Sequence, residues 1–471
     1  MENIDKIIDN WKRLLDEGNT KEAEEIYSTK IFPEIKKKVS EDAKNDGLEG
    51  KYDGLLLTVG ESPEPLILSI TALKPKWVGF LYTEKSKNHL DRIVSDCNIR
   101  PSQVEQIEIG KSDASDVYNA IKEICENKRE TEKIGVDITG GTKAMVGGAT
   151  VASALLDFDI LYVETKWLAK YRKPEPLSER IILLENPYKV FGDLKEKVGI
   201  ELFNSHDYAG AMNIFGKLLG SARNPLQFEV EMKLSVAYDC WDRYDYEEGK
   251  KKLDEVLNKI KQYALPINNE KRKKLEKQLE LLEKLKKSNQ GDLFTLLKDN
   301  EFAINFIIDI YCSAMRKYEQ GKYDEGIVRL YRVLELISQY RLALKGINTE
   351  KVDRSKLSNN VVSEFKECAK IIYGGEKEIP VKIGLMDGYI LLFCLKDDIW
   401  SSLCAIADVK KFQNAANPRN HLAIIHGKNI GTKKAFEEFE KTTREWLERI
   451  IERTTIERII KEYEHIKLPF V

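Results

Sequence analysis

Ile134-Gly135-Val136-Asp137-Ile138-Thr139-Gly140-Gly141-Thr142-Lys143-Ala144 is the stretch whose reading decides the fold. An apolar strand over 134–138 turns through two adjacent glycines into a helix running from Ala144 to Leu156. Glycines let backbone amides approach a ligand closely, a helix N-terminus carries partial positive charge, and Lys143 adds a full one. The pattern predicts an anion site, with phosphate the natural guest.

Upstream, Leu55 to Val59, Trp77 to Tyr82 and Val104 to Ile109 are further short apolar runs, and Ile160 to Val163 follows downstream. Helical stretches such as Asp116 to Glu126 separate several of them. Near-continuous apolar strands alternating with helices indicate a parallel sheet covered on both faces, an α/β Rossmann-like domain placed at residues 50–187. Arg180 to Leu184 reads as the return strand of an edge hairpin. Ligands of such sheets sit beyond the carboxyl ends of the strands. Three loops leave those ends, carrying Thr58, Gly60 and Ser62; Thr83 and Lys85; and Thr139, Gly140, Gly141, Thr142 and Lys143. Hydroxyls and lysines converging there suit a phosphate-rich ligand that also offers hydroxyl groups. There is no GxxxxGK followed by Ser or Thr, and no GxGxxG after a strand, so ATP hydrolysis and dinucleotide redox chemistry are disfavoured.

The 471 residues exceed one ordinary core. Residues 1–49 carry helical periodicity through Ile4, Ile7, Ile8, Trp11 and Leu14. Residues 188–291 are helical, with loosely repeated acidic-aromatic turns, and Leu275, Leu279, Leu282 and Leu285 line one side of what reads as a solvated connecting helix. Residues 292–471 form a last all-α domain, with a core helix at Tyr323 to Ile337. With 76 basic against 78 acidic residues, no global field advertises nucleic acid, and any such binding is local. Seven scattered cysteines without CxxC spacing fit free thiols in a reducing cytosol, and the longest apolar run, Tyr389 to Leu395, is too short to span a bilayer. A cytoplasmic protein without membrane or DNA contacts is the expectation.

Asn417-Pro418-Arg419-Asn420-His421-Leu422-Ala423-Ile424-Ile425-His426-Gly427 is the second chemical signal. Asn417 suits an N-cap, Pro418 a first helical position and Gly427 a stop. Arg419 and His426 are seven residues apart, which puts them within about 20° on one face and about 10 Å apart along the axis. A ribonuclease working without metal needs a proton-transfer group and a cation for the phosphorane, roles that His and Arg supply. Two such helices meeting across a two-fold axis make a better site than one, so a homodimer is expected. No His, Cys and carboxylate cluster has zinc-ligand spacing, and no metal cofactor is expected.

Taken together these residues resemble the CRISPR-associated accessory ribonucleases of type III systems, which join a CARF sensor domain to a HEPN ribonuclease domain. Asp137 to Lys143 looks like the CARF ligand loop, Arg329 to Leu336 is similar to a long HEPN helix, and Arg419 to His426 fits the HEPN pattern, with Asn420 matching the polar residue often found after the Arg. The resemblance implies a cyclic oligoadenylate activator of four or six units, a single-stranded RNA substrate, and a metal-independent endoribonuclease leaving a 2′,3′-cyclic phosphate. It also raises breakdown of the activator by Thr58, Ser62, Thr142 and Lys143. The residues leave open a ligand-sensing regulator or scaffold whose helical domain binds a partner without catalysis.

Overall fold

The computed structural model describes residues 4–110, 113–126, 132–220, 222, 225–289, 291–400, 406–416 and 430–470. They form two compact units, Met1–Gly192 and Asp193–Val471.

The first unit is built on strands β1 (Gly54–Thr58), β2 (Trp77–Tyr82), β3 (Val104–Glu108), β4 (Ile134–Asp137), β5 (Asp159–Glu164), the short ribbon β6 (Trp167–Leu168) and β7 (Lys173–Pro174), and β8 (Arg180–Leu184). The main sheet has the order β3-β2-β1-β4-β5-β8, parallel from β3 to β5, with β8 antiparallel on the edge and Tyr162 opposite Ile182. The expected Rossmann-like layer and its edge hairpin are both present. Strand residues alternate between two cores, as the pleat requires. Leu55, Leu57 and Phe80 pack with Leu66, Ile67 and Ile93, whereas Leu56, Val136 and Ile160 pack with Val117, Ile121, Met145, Ala149 and Ala152. The N-terminal helices belong to the first of these cores through Trp11, Leu14, Ile35 and Val39. They are thus part of the first unit's own cover. Close packing sets Gly148, where a Cβ would lie 2.5 Å from the Ala114 carbonyl oxygen.

In the second unit the helices Asp193–Asn204, Tyr208–Leu219, Pro225–Asp242, Tyr246–Gln262 and Asn269–Leu285 each pack on the next. The acidic-aromatic turns are helix starts: Asp207 caps through the amide of Gly210 at 3.0 Å and Asp245 through that of Glu248 at 3.2 Å. Asn269–Leu285 differs from a solvated connector. Leu275, Leu281, Leu282 and Leu285 are buried, and so is Gln278, which accepts from Tyr238 and donates to the Glu464 carbonyl. Mixed charges conceal that face in the sequence because only every third or fourth position reports it.

The long helix Tyr323–Leu344 buries Ile327, Leu330, Leu334 and Ile337 as its periodicity predicts, and packs on Asn300–Glu319, Leu385–Cys394 and Lys433–Glu448. One apolar cluster runs through the whole unit from Phe203 to Phe470. Buried Asp309 ties the two helical regions together, accepting from Trp241 Nε1 at 2.8 Å and Tyr246 OH at 2.7 Å. Among the described residues no helix is long and apolar enough to cross a membrane.

Candidate functional site

β1 lies between β2 and β4, so the chain leaves the sheet in opposite directions from the ends of β1 and β4, and a crevice opens there. Two glycine loops are pressed together across it. A Cβ on Gly60 would lie 2.6 Å from the Gly141 nitrogen, and one on Gly140 would lie 2.3 Å from the Thr58 carbonyl oxygen. Gly141 itself has φ +87°, a conformation that side chains resist.

Around this crossing the polar groups are mostly spent on the loop. Thr58 is fully buried, and its hydroxyl donates to the Gly140 carbonyl at 2.6 Å. Asp137, at the end of β4, accepts from the Ser69 hydroxyl with one oxygen and from the Thr139 amide at 2.8 Å with the other. Burial raises the Asp137 carboxyl above its ordinary range, while those two bonds oppose the rise. The Thr139 hydroxyl accepts the Val163 amide at 2.8 Å, and the Thr142 hydroxyl caps the helix Lys143–Leu156 through Met145 N at 3.3 Å. Ser69 and Asp137 were absent from the sequence-derived site. The signal was Ser69, a buried hydroxyl in the largely apolar helix Glu64–Leu73.

Beyond the crossing lies a cavity of about 600 Å³ whose wall includes Gly60, Thr83, Lys85, Glu108, Gly141 and Thr142. The three loops therefore do converge. Of the expected ligand residues, Gly60, Thr83, Gly141 and Thr142 face it, as does Lys85. Ser62 and Lys143 are exposed outside its wall, and Thr58, Thr139 and Gly140 brace it from behind. The wall also carries Glu61 and Glu84. What the wall offers an anion is therefore backbone amides and a helix start more than net charge.

Arg419, Asn420 and His426 lie outside the described residues. The chain enters that segment from the helix Ile406–Ala416, which packs on Asn359–Tyr373 and Leu385–Cys394. It leaves at Ile430 and Gly431, and the Gly431 amide donates to Asp324 in the first turn of Tyr323–Leu344. Among the described residues no group of three or more His, Cys, Asp or Glu side chains could hold a metal ion.

Three family models match this chain: the Card1 CARF domain over residues 65–170, the Csm6 6H domain over 191–287 and the Csm6 HEPN domain over 295–450. The chain thus joins a CARF domain, a Csm6 6H domain and a Csm6 HEPN domain. The CARF match covers β2 to β5 and the loop Thr139 to Lys143, and the HEPN match includes the helix Tyr323–Leu344 and the Arg419 to His426 segment. A curated relative, the CRISPR system endoribonuclease Csm6 of Thermus thermophilus, is 24% identical over 97% of each chain. Among solved structures, Enterococcus italicus Csm6 bound to cyclic hexa-2′-fluoro-hexa-dAMP is 13% identical, with a TM-score of 0.46, covering 88% of this chain and 98% of that one. Can2 from Sulfobacillus thermosulfidooxidans in complex with cyclic tetra-adenylate is 14% identical with a TM-score of 0.23, covering 40% and 66%.

Proposed function

We propose that the chain is a cyclic oligoadenylate-activated endoribonuclease of type III CRISPR defence that cuts single-stranded RNA as a homodimer without a metal. What carries the reading is the order of parts in one chain: a CARF domain with a cavity at its glycine crossing, then a HEPN domain bearing Arg419 and His426 at helical spacing. The name of the Thermus thermophilus relative agrees with the activity.

In this reading the ring's phosphates seat against the amides around Gly60 and Gly141, and Thr83 and Lys85 reach its hydroxyls and remaining phosphates. Lys143, exposed on the first helical turn, contributes long-range charge. Activation requires that the ring bind the active dimer more tightly than the inactive one. Arg419 stabilises charge on the phosphorane, Asn420 orients the phosphate, and His426 moves the proton of the 2′-OH or the leaving oxygen. Attack by the 2′-OH leaves a 2′,3′-cyclic phosphate.

Dimerisation has a surface to use. Val151 and Leu155 on the helix Lys143–Leu156 are exposed, as are Tyr162 on β5 and Leu183 on β8. Val151, Leu155 and Tyr162, on that helix and on the sheet face it covers, suit a second copy of the chain, whereas Leu183, paired with Leu161, points to the other face.

The test is cleavage of a labelled single-stranded RNA with chelator present, with and without cyclic tetra- and hexa-adenylate. Wild type is expected to cut only with one of the rings, His426→Ala and Arg419→Ala to lose cutting with either, and Lys85→Ala to need more activator. Cutting that stops with chelator, or an active His426→Ala, overturns the mechanism.

A further inference from the structure

A second cavity, of about 660 Å³, lies within the helical unit, walled by His206, Arg316, Arg444, Tyr463, His465 and Lys467 among others. Among the described residues of 320–440, none is in its wall. Its volume falls in the range of about 300–1,000 Å³ typical of small-ligand sites.

Two of its wall residues are nineteen-twentieths buried, and each keeps a nitrogen without a partner among the described residues: Arg316 Nη2 and His465 Nε2. Unpaired polar atoms buried in this way are costly and rare. Arg316 is held by Asp242 through Nε at 3.0 Å, so its outer edge is fixed in place. His465 stacks on Tyr238 with ring centres 3.9 Å apart. Both nitrogens are covered in the structure, so the binding argued below requires a wall side chain to move aside.

His465 also ends a hydrogen-bonded chain. Glu319 meets His206 Nε2 at 2.8 Å, His206 Nδ1 meets Tyr208 OH at 2.7 Å, and Tyr208 OH meets His465 Nδ1 at 2.6 Å. A carboxylate only accepts, so His206 donates to it through Nε2–H. With His206 neutral, Nδ1 takes the Tyr208 proton, the Tyr208 oxygen takes the His465 Nδ1 proton, and Nε2 of His465 is a bare lone pair. One added proton, taken up at His206 Nδ1, reverses both Tyr208 bonds and turns His465 Nε2 into a donor while His206 Nε2–H still donates to Glu319. Burial holds both imidazoles below their ordinary range, with Arg316, Lys274 and Lys467 adding to the effect at His465, so the neutral arrangement is the resting one. Glu319, at the outer end, is more than half exposed and connects the chain to solvent.

We propose that this cavity binds a phosphate monoester of mononucleotide size, one oxygen accepting from Arg316 Nη2 and another from His465 Nε2 after the chain takes up one proton from solvent. The mouth fits an anion. Lys271 and Lys467 line it, held by the backbone carbonyls of Pro469 and Asn204, and Arg444 is in the same wall. Glu270 and Glu464 at the same mouth limit the charge and favour a single phosphate over a polyphosphate.

Titration calorimetry on the full chain, in two buffers of different ionisation enthalpy, tests this with AMP, inorganic phosphate and adenosine as probes. AMP and phosphate are expected to bind with uptake of about one proton, and adenosine not to compete. Tyr208→Phe should abolish the uptake and weaken AMP about tenfold or more. Lys467→Ala, at the exposed rim, should weaken it severalfold even if the Tyr208 variant does not fold, whereas Lys85→Ala in the CARF cavity should change nothing. No saturable AMP binding, binding without proton uptake, equal binding of adenosine, or AMP affinity lost with Lys85→Ala and kept with Lys467→Ala would each overturn the assignment.

Discussion

The hydroxyl of Thr58, at the end of β1, donates to the carbonyl oxygen of Gly140 at 2.6 Å and so fastens the loop after β4 to the strand beside it. The bond is wholly buried on the Thr58 side. Replacing Thr58 with Val keeps the shape and strands the Gly140 carbonyl, a loss of roughly 1–3 kcal/mol. Thr58→Val is expected to lower the melting temperature and weaken activation by the cyclic ring, and Thr58→Ser to restore most of both. Thermal melts and activator titrations measure the two effects. An unchanged activator response in a destabilised Thr58→Val would show that the loop's position does not matter to binding.

The close approach of the two glycine loops makes a sharper contrast. A methyl group on Gly60 meets the Gly141 nitrogen at 2.6 Å, whereas one on Gly110, in the same cavity wall, meets nothing within 4 Å. Gly60→Ala is expected to push the loops apart and abolish the ring response. Gly110→Ala should stay folded and bind within a fewfold of wild type. Binding measured by titration, with circular dichroism as the fold control, distinguishes this from a general effect of added bulk.

The sheet was legible because its strands are apolar runs flanked by helical periodicity, and the glycine pair marks a place where a strand turns into a helix at short range. What the sequence hid were assignments that depend on register. Thr58, Thr139 and Thr142 all read as free hydroxyls, yet each bonds a backbone group once the strands are paired. Lys143 follows Thr142 directly, but the helix rotates it out of the wall. Ser69 and Asp137 are sixty-eight residues apart in the chain and meet only in the folded sheet. The covered face of Asn269–Leu285 escaped for a related reason, since buried Gln278 looks like one more polar residue in a charged helix.

Leu155 is exposed on the helix Lys143–Leu156, one turn beyond Val151. If this stripe joins two copies, a charge placed on it must be desolvated in the dimer and stays hydrated in the monomer, which costs several kcal/mol of association. Leu155→Lys is therefore expected to give a folded monomer by light scattering that no longer cuts RNA when the ring is added. A dimeric Leu155→Lys would place the pairing surface elsewhere.

Glu231 sits fully buried in the helix Pro225–Asp242, with one carboxyl oxygen accepting from Gln227 Nε2 at 3.1 Å and the other without a partner among the described residues. Burial raises its pKa from 4.5 to about 8, with the charge of Glu196 adding to the rise and Gln227 opposing it. The sign follows from proton binding. Below about 4.5 both folded and unfolded chains hold the proton and stability is unaffected; between there and about 8 the unfolded chain releases it while the folded chain keeps it, so stability falls as pH rises, and the full loss is reached above about 8. Glu231→Gln keeps the shape and removes the ionisation. The variant is expected to match wild type near pH 5 and to exceed it at pH 9 by on the order of 2–4 kcal/mol. Chemical denaturation of the two proteins across that range measures the difference, and parallel curves at both ends would mean that Glu231 is ionised in the folded chain.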